Sequence, residues 1–309
     1  MNKFESVTKP LTWSMTFLLA SFITGCGIDD PILGGTAAGP GLSLVNFTTY
    51  GMAATAGVTN TPTVPITHIE GNVILDPLDQ CNSVFVDNTG GFGLCAGSPP
   101  TINGTVVTNT HPDAGITSGA IRADMNAAFL AITPPAGPPA AGSLGGATDL
   151  PAGTTLGEPT GSALVQGDNL FAPGVYQSLT SILITGDITL DAQGDPNASF
   201  IFQSSSTLDL AAGSAPPGPH SRILLINGAK ASNVYWQVSS AATFGAYSEF
   251  QGNVLAATDI TMQTGATSCG RLFAGAWVGG SGAFVFDSNV VSVPGQPFAP
   301  PAGYSTTCQ

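Results

Sequence analysis

Most of this chain consists of short apolar or Thr-rich runs bounded by turn residues. Examples are "GNVILDP" (71–77), "TINGTVVTN" (101–109), "SILITGDITLDA" (181–192), "SFIFQSS" (199–205), "RILLING" (222–228) and "NVYWQV" (233–238). They are rich in β-branched and aromatic residues and several alternate, which predicts strands. One segment follows another period. In "SGAIRADMNAAFLAIT" (118–133), Ile121, Met125, Phe129 and Ile132 recur at helical spacing. Ala123, Ala127, Ala128 and Ala131 favour a helix, Ser118 offers a cap, and Pro134 and Pro135 stop it. Its single apolar stripe needs a partner, so the helix is expected to pack on a sheet. A Pro/Gly/Ala-rich connection follows at 134–159.

The strands also repeat among themselves. Asn253-Val254-Leu255 aligns with Arg271-Leu272-Phe273 at an offset of 18, and with Asn289-Val290-Val291 at a further 18. In the other direction it aligns with Asn233-Val234-Tyr235 at an offset of 20, and Thr243-Phe244 aligns with Thr261-Met262 at 18. A period of 18–20 is the length of one coil in a three-sided β-solenoid, in which like residues stack into ladders. Val254, Leu272 and Val290 are expected to form one interior ladder, and Phe244 and Met262 another. Alternation then turns Thr243 and Thr261 outward.

Charge narrows the function. Charged residues make up 8% of the chain, against roughly 25% in ordinary globular domains. With 6 basic and 19 acidic residues the net charge is −13, which excludes a nucleic-acid footprint and disfavours anionic lipid surfaces. No GxSxG, HExxH or P-loop sequence is present. His68, His111 and His220 are scattered, so neither a metal nor a cofactor is expected. Asp187, Asp191 and Asp195 are the carboxylates best placed to act together, and they read as turn caps. No catalytic residue is expected.

Lys3 and Lys9 precede the apolar run "LTWSMTFLLASFITGC" (11–26), which has the form of an export signal. Its end, Ile23-Thr24-Gly25-Cys26, resembles a bacterial lipoprotein box. That resemblance implies cleavage after residue 25, a lipid anchor on Cys26 and, with Gly27 next, the outer membrane or cell surface. Residues 26–42 would be a tether, 43–293 the folded domain and 294–309 a tail. The other cysteines, Cys81, Cys95, Cys269 and Cys308, allow three disulfide pairings in an oxidising compartment. The local choice is Cys81–Cys95, which leaves Cys269–Cys308 to pin the tail.

Several stretches resemble the microbial ice-binding (ice-structuring, antifreeze) protein family. They are "FAPGVYQSLTSILITGDITLDAQGDPNASFIFQSSSTLDL", "LLINGAKASNVYWQVSSAATFG" and "SEFQGNVLAATDITMQTGATSCGRLFAG", with "HIEGNVILDP" and the helix "AIRADMNAAFLAI". The likeness spans about residues 43–293. It implies an all-β dominated fold: a right-handed, irregular, three-sided β-solenoid with one α-helix alongside and N-terminal strands stacked out of sequence order. It also implies a non-enzymatic protein whose partner is ice or an ordered water lattice. Thr264-Gly265-Ala266-Thr267 fits the Thr-(Ala/Gly)-X-(Thr/Asn) motif of active members, and no second copy occurs.

The expected ice face is Thr243, Thr261, Thr264 and Thr267, with Thr258, Gln263 and Ser281 as weaker additions. Thr185, Thr189 and Thr207 extend it if their strands share that side. Threonine suits the task because it pairs a hydroxyl with a methyl. Rungs repeat at about 4.8 Å and alternate residues at about 6.8 Å, so such a grid can hold ordered water. The alternative is a surface adhesin or carbohydrate-binding lipoprotein that keeps the fold and binds glycan through exposed aromatics or through the 81–95 loop. Tyr235 and Trp236 suggest a sugar platform, although Trp236 lies beside interior-type residues and reads equally as core.

Overall fold

A computed structural model describes residues 49–82, 84–85, 99–110, 117–135, 144–295 and 308. Three sheets of nine, nine and eight strands form the body. Each coil gives one strand to each sheet in turn. Gly174–Ser178 lies in sheet 1, Ile182–Ile184 in sheet 2 and Asp187–Asp191 in sheet 3, and Phe200–Ser204 then returns to sheet 1 one rung further on. Among the described residues the strands pair in parallel except at the edge of sheet 2, where Gln80–Cys81 and Val84–Phe85 run antiparallel, and Glu158 adds an isolated antiparallel bridge to Asp187. This is a three-sided solenoid.

Stacking does not follow sequence order. The N-terminal strands Tyr50–Ala54, Val58–Thr61 and His68–Glu70 pair with Leu272–Ala274, Phe284–Asp287 and Val290–Ser292. Asn72–Leu75 and Val106–Thr108 continue sheet 1 to one edge, whereas the next strand in sequence, Thr148–Asp149, forms the opposite edge. The chain must therefore travel back across nine strands, about 38 Å at about 4.8 Å per rung. The helix Ser118–Ala131 covers about 21 Å of that route.

The helix lies on sheet 1 as its stripe requires. Ile121, Met125, Phe129 and Ile132 are buried with Ala53, Ile74, Ile201, Tyr235, Leu255 and Phe273 in one cluster. Gln203 donates from Nε2 to the Ile132 carbonyl at 2.8 Å, and Phe129 meets Trp277 edge-on. The N-cap is Thr117, one residue before the expected Ser118: its Oγ1 accepts from the Ala120 amide at 3.2 Å. Ser118 is itself helical and buried.

Inside the solenoid, Phe244 stacks with Met262, and that ladder continues to Phe286 and Asn60. Val254 lies opposite Leu272, but the next rung is Met52, not Val290. The loop after Ala274 lengthens that coil, so Ile260 pairs with Phe284 across a wider offset, and Val290 moves to sheet 3 opposite Thr267. On the other side Val254 pairs with Trp236, two positions after the expected Val234. Earlier coils are longer again: Tyr176 pairs with Phe202 and Phe202 with Trp236. The additional length goes into the corners and leaves the strands in register.

Two runs that look like single strands each contain a corner. The run 181–192 divides into Ile182–Ile184 and Asp187–Asp191, and 101–109 into Thr101–Asn103 and Val106–Thr108. At the corner before sheet 1, Gly252 and Gly270 take φ of +118° and +144°, where a side chain is strained. A Cβ on Gly270 would run into the Gly252 carbonyl of the adjacent coil.

Cys269, on sheet 3, is joined to Cys308 by a disulfide. Cys81 is also disulfide-bonded, while Cys95 lies outside the described residues. This corrects the expected lipid anchor. The cysteines placed here serve as disulfide partners and not as lipid acceptors, and Cys26 lies outside the described residues. Among the described residues no helix is long and apolar enough to cross a membrane.

Candidate functional site

The three sides differ in what they leave open. Sheet 1 is covered by the helix. On sheet 3 the outward positions Glu249, Gln251, Thr267, Cys269 and Ser292 are buried, and the outward positions left open there include the paired Asp187 and Arg222 and the apolar Leu224 and Ile226. Sheet 2 keeps an accessible outer side. Its strands have alternate burial, as in Ile260–Met262, where Ile260 and Met262 point inward and Thr261 is partly exposed.

Pairing register assembles that side into columns. The central one runs Thr155, Leu183, Asp209, Thr243, Thr261, Val285 and Thr59, one residue per rung. Backbone hydrogen bonds at the strand starts align Ser181, Thr207, Ala241, Asp259, Ala283 and Gly57 on one flank. Those at the strand ends align Thr185, Ala211, Gly245 and Gln263 on the other, and strand pairing adds Asp287 and Thr61. The grid contains no Lys, Arg or aromatic residue. Its six rungs from Leu183 to Thr59 span about 24 Å, and its three columns about 14 Å.

The polar groups on the grid fall into two kinds. Thr59, Thr61, Thr185, Thr243 and Thr261 have no side-chain hydrogen bond within the described residues and face solvent. The others are engaged. Thr207 donates to Asp209 Oδ2 at 2.6 Å and lies 3.0 Å from Ser181 Oγ. Asp259 Oδ1 accepts from the Ala283 amide at 2.7 Å, Asp287 Oδ2 accepts from the Thr264 hydroxyl, and Gln263 Oε1 accepts from the Ala246 amide at 3.2 Å.

The residues expected to contact ice divide between these columns and other parts of the coil. Thr243 and Thr261 are neighbours in the central column, and Gln263 is exposed beside them. Thr258 is partly exposed at the corner entering the sheet, and Ser281 is exposed in the loop before Phe284–Asp287. Thr264 sits in the turn leaving the sheet. Thr267 is 4% exposed and belongs to sheet 3, so it does not join the grid. The Thr-Gly-Ala-Thr motif thus spans a corner, with Gly265 at φ +70°. Thr185 and Thr207 do flank sheet 2, whereas Thr189 is buried in sheet 3.

Thr59 and Thr61 were not among the expected contacts. They reach the same side from an N-terminal strand whose partner, Phe284–Asp287, lies near the other end of the folded chain. Their signal was the alternation in "VTNT", where Val58 and Asn60 are buried and both threonines are exposed.

The groups considered for other chemistry have structural roles. Asp187 forms a two-pronged pair with Arg222, at 2.8 and 2.6 Å, which raises the arginine above its usual range. Asp191 and Asp195 accept from the amides of Gln193 and Asn197, each at 2.8 Å, as turn caps. Trp236 is 1% exposed, stacked 4.1 Å from Phe202, and Tyr235 is buried beneath the helix. Neither supplies a sugar-stacking platform. Among the described residues no group of three or more His, Cys, Asp or Glu is arranged to hold a metal ion.

The fold and this open side define a β-solenoid with a regularly spaced face whose only charged residues are the carboxylates Asp209, Asp259 and Asp287. Residues 52–279, about three quarters of the chain, match the Ice-binding-like family model. The chain belongs to that family, which is non-enzymatic. It is 45% identical over 121 residues to the ice-binding protein of Nostoc sp. (strain HG1), covering 39% of this chain and 40% of that one. Ice-binding protein 1 of Shewanella frigidimarina is 40% identical over 102 residues, which cover 33% of this chain and 11% of the relative. These matches therefore span less than half the length of either relative. Ice-binding protein K1-A of Typhula ishikariensis is matched more fully, at 30% identity over 80% of this chain and 87% of the relative. Among solved structures, the ice-binding protein of Antarctomyces psychrotrophicus aligns with a TM-score of 0.60 and 32% identity, over 83% of this chain and all of that one.

Proposed function

We propose that this chain binds ice through the outer side of sheet 2. The observation that carries the reading is the central column, where Thr243, Thr261, Val285 and Thr59 stack on consecutive rungs. Each of these side chains offers a methyl at one level, and three also offer a hydroxyl. A hydroxyl can both donate to and accept from water, whereas a carboxylate only accepts. The array is fixed by backbone pairing on both sides of every rung, so ordering water against it requires little rearrangement of the protein. Relatives in sequence and a solved structure of similar fold carry the name ice-binding protein, which supports the same reading.

The contact set differs from the one expected from sequence. The proposed set keeps Thr243 and Thr261, adds the exposed Thr59 and Thr61, and leaves out Thr267, whose burial argues against contact. The disulfide between Cys269 and Cys308 fits an oxidising compartment outside the cytoplasm. The reading predicts that the triple substitution Thr59→Tyr, Thr243→Tyr and Thr261→Tyr abolishes ice recrystallisation inhibition without lowering the melting temperature. Full activity in a folded triple variant would place the ice contact elsewhere.

A further inference from the structure

The outer side of sheet 2 is not uniform along the solenoid. From Thr243 to Thr59 the central column carries only Thr and Val, over four rungs. The next position in the other direction is Asp209, opposite Thr243. It is the only charged residue in that column. Asp259, exposed, and Asp287, partly exposed, stand in the two outer columns of the four-rung block and bound it sideways, accepting from the Ala283 amide and from the Thr264 hydroxyl respectively. Asp209 instead stands midway across the strand Leu208–Leu210, partly exposed, in line with the threonines.

Its effect reaches neighbouring hydroxyls. Thr207 gives its proton to Asp209 Oδ2 at 2.6 Å, and Ser181 lies 3.0 Å from the Thr207 oxygen. Two hydroxyls that would otherwise face water are thereby tied into a chain ending on a carboxylate. Waters next to that carboxylate must all point a hydrogen at it. A lattice in which each water both donates and accepts cannot continue through such a point. Beyond it Leu183 replaces the Thr methyl with a longer side chain.

Resting on the proposed ice-binding reading, we infer that Asp209 is a specificity-determining residue that ends the ice-contact surface. The surface is the four-rung block from Thr243 to Thr59, not the whole of sheet 2. It is built jointly by C-terminal coils and the N-terminal strand Val58–Thr61. The two rungs beyond Asp209 have the right backbone spacing but are cut off by its charge.

The test compares three variants of the full chain in thermal hysteresis at matched concentration, with thermal melting as the check on folding. Asp209→Thr joins a fifth rung to the block, and hysteresis is expected to rise by about a quarter or more, in line with the added length. Asp209→Asn removes the charge but keeps an acceptor for Thr207, and is expected to give a smaller rise. Thr243→Tyr with Thr261→Tyr is expected to eliminate hysteresis. If the double tyrosine variant loses activity while a folded Asp209→Thr is no better than the parent, the boundary inference is wrong and the ice-binding reading stands. If the double tyrosine variant keeps full activity, the ice-binding reading itself fails on this face.

Discussion

Thr261 and Thr267 are close in sequence and of the same residue type, yet one faces water and the other is buried. Alternation decides inside a strand, but it restarts at each corner. Gly265, with positive φ, turns the chain from sheet 2 to sheet 3 between them. This is why the outward placement of Thr243 and Thr261 was legible, whereas the sequence of the Thr264–Thr267 motif does not disclose that it spans a corner. Aromatic residues show the same limit. Tyr235 and Trp236 are adjacent and point to opposite sides of sheet 1, the tryptophan into the solenoid and the tyrosine under the helix. Burial pushes the Tyr235 phenol above its ordinary 10.0, only partly offset by Arg271. A raised folded value means stabilisation that is complete below the ordinary value and lost as pH rises through the folded one. The melting temperature should therefore fall in alkaline solution beyond the ordinary phenol range, and less steeply in Tyr235→Phe.

Among the elements, the helix was the most readable because its stripe is sustained from Ile121 to Ile132. Only its cap was misplaced, by one position. Strand boundaries were harder. A run such as "SILITGDITLDA" has continuous strand character, and its corner is marked by little more than Gly186, where a Cβ would strike the Glu158 carbonyl. The helix and the grid lie on different sides of the solenoid, so they should respond separately to mutation. Phe129 is fully buried between helix and sheet 1. Phe129→Ala should cost about 3–5 kcal/mol of stability. While the variant remains folded, its ice recrystallisation inhibition should match the parent's.

For the whole molecule, the repeat period disclosed the architecture but not its irregularities. It holds from Trp236 to Val254 and from Val254 to Leu272, then lengthens where corner loops grow. An alignment that keeps one period assigns Val290 to the wrong sheet. Out-of-order stacking left no local signal, because the pairing of Val58–Thr61 with Phe284–Asp287 joins strands from opposite ends of the folded chain. The disulfide adds a further long-range tie, at a sequence separation of 39 between Cys269 and Cys308. Replacing Cys269 and Cys308 together by Ser should lower unfolding free energy by about 2–4 kcal/mol in denaturant titration.

The insertion of the N-terminal coils beside Val290–Ser292 also brings distant parts of the chain together. Gly51 lies against the Val293 side chain, a Cβ at Gly51 falling 3.3 Å from its Cγ2, where sheet 3 gives way to sheet 1. That seam is the one corner of a triangular coil that does not border sheet 2. The N-terminal coil and the last described coil therefore meet along a single spine. That spine runs along the ridge opposite the threonine grid, so a substitution that loosens the Gly51–Val293 contact acts on the back of the coil and leaves the spacing of the columns on sheet 2 to their own strand pairing.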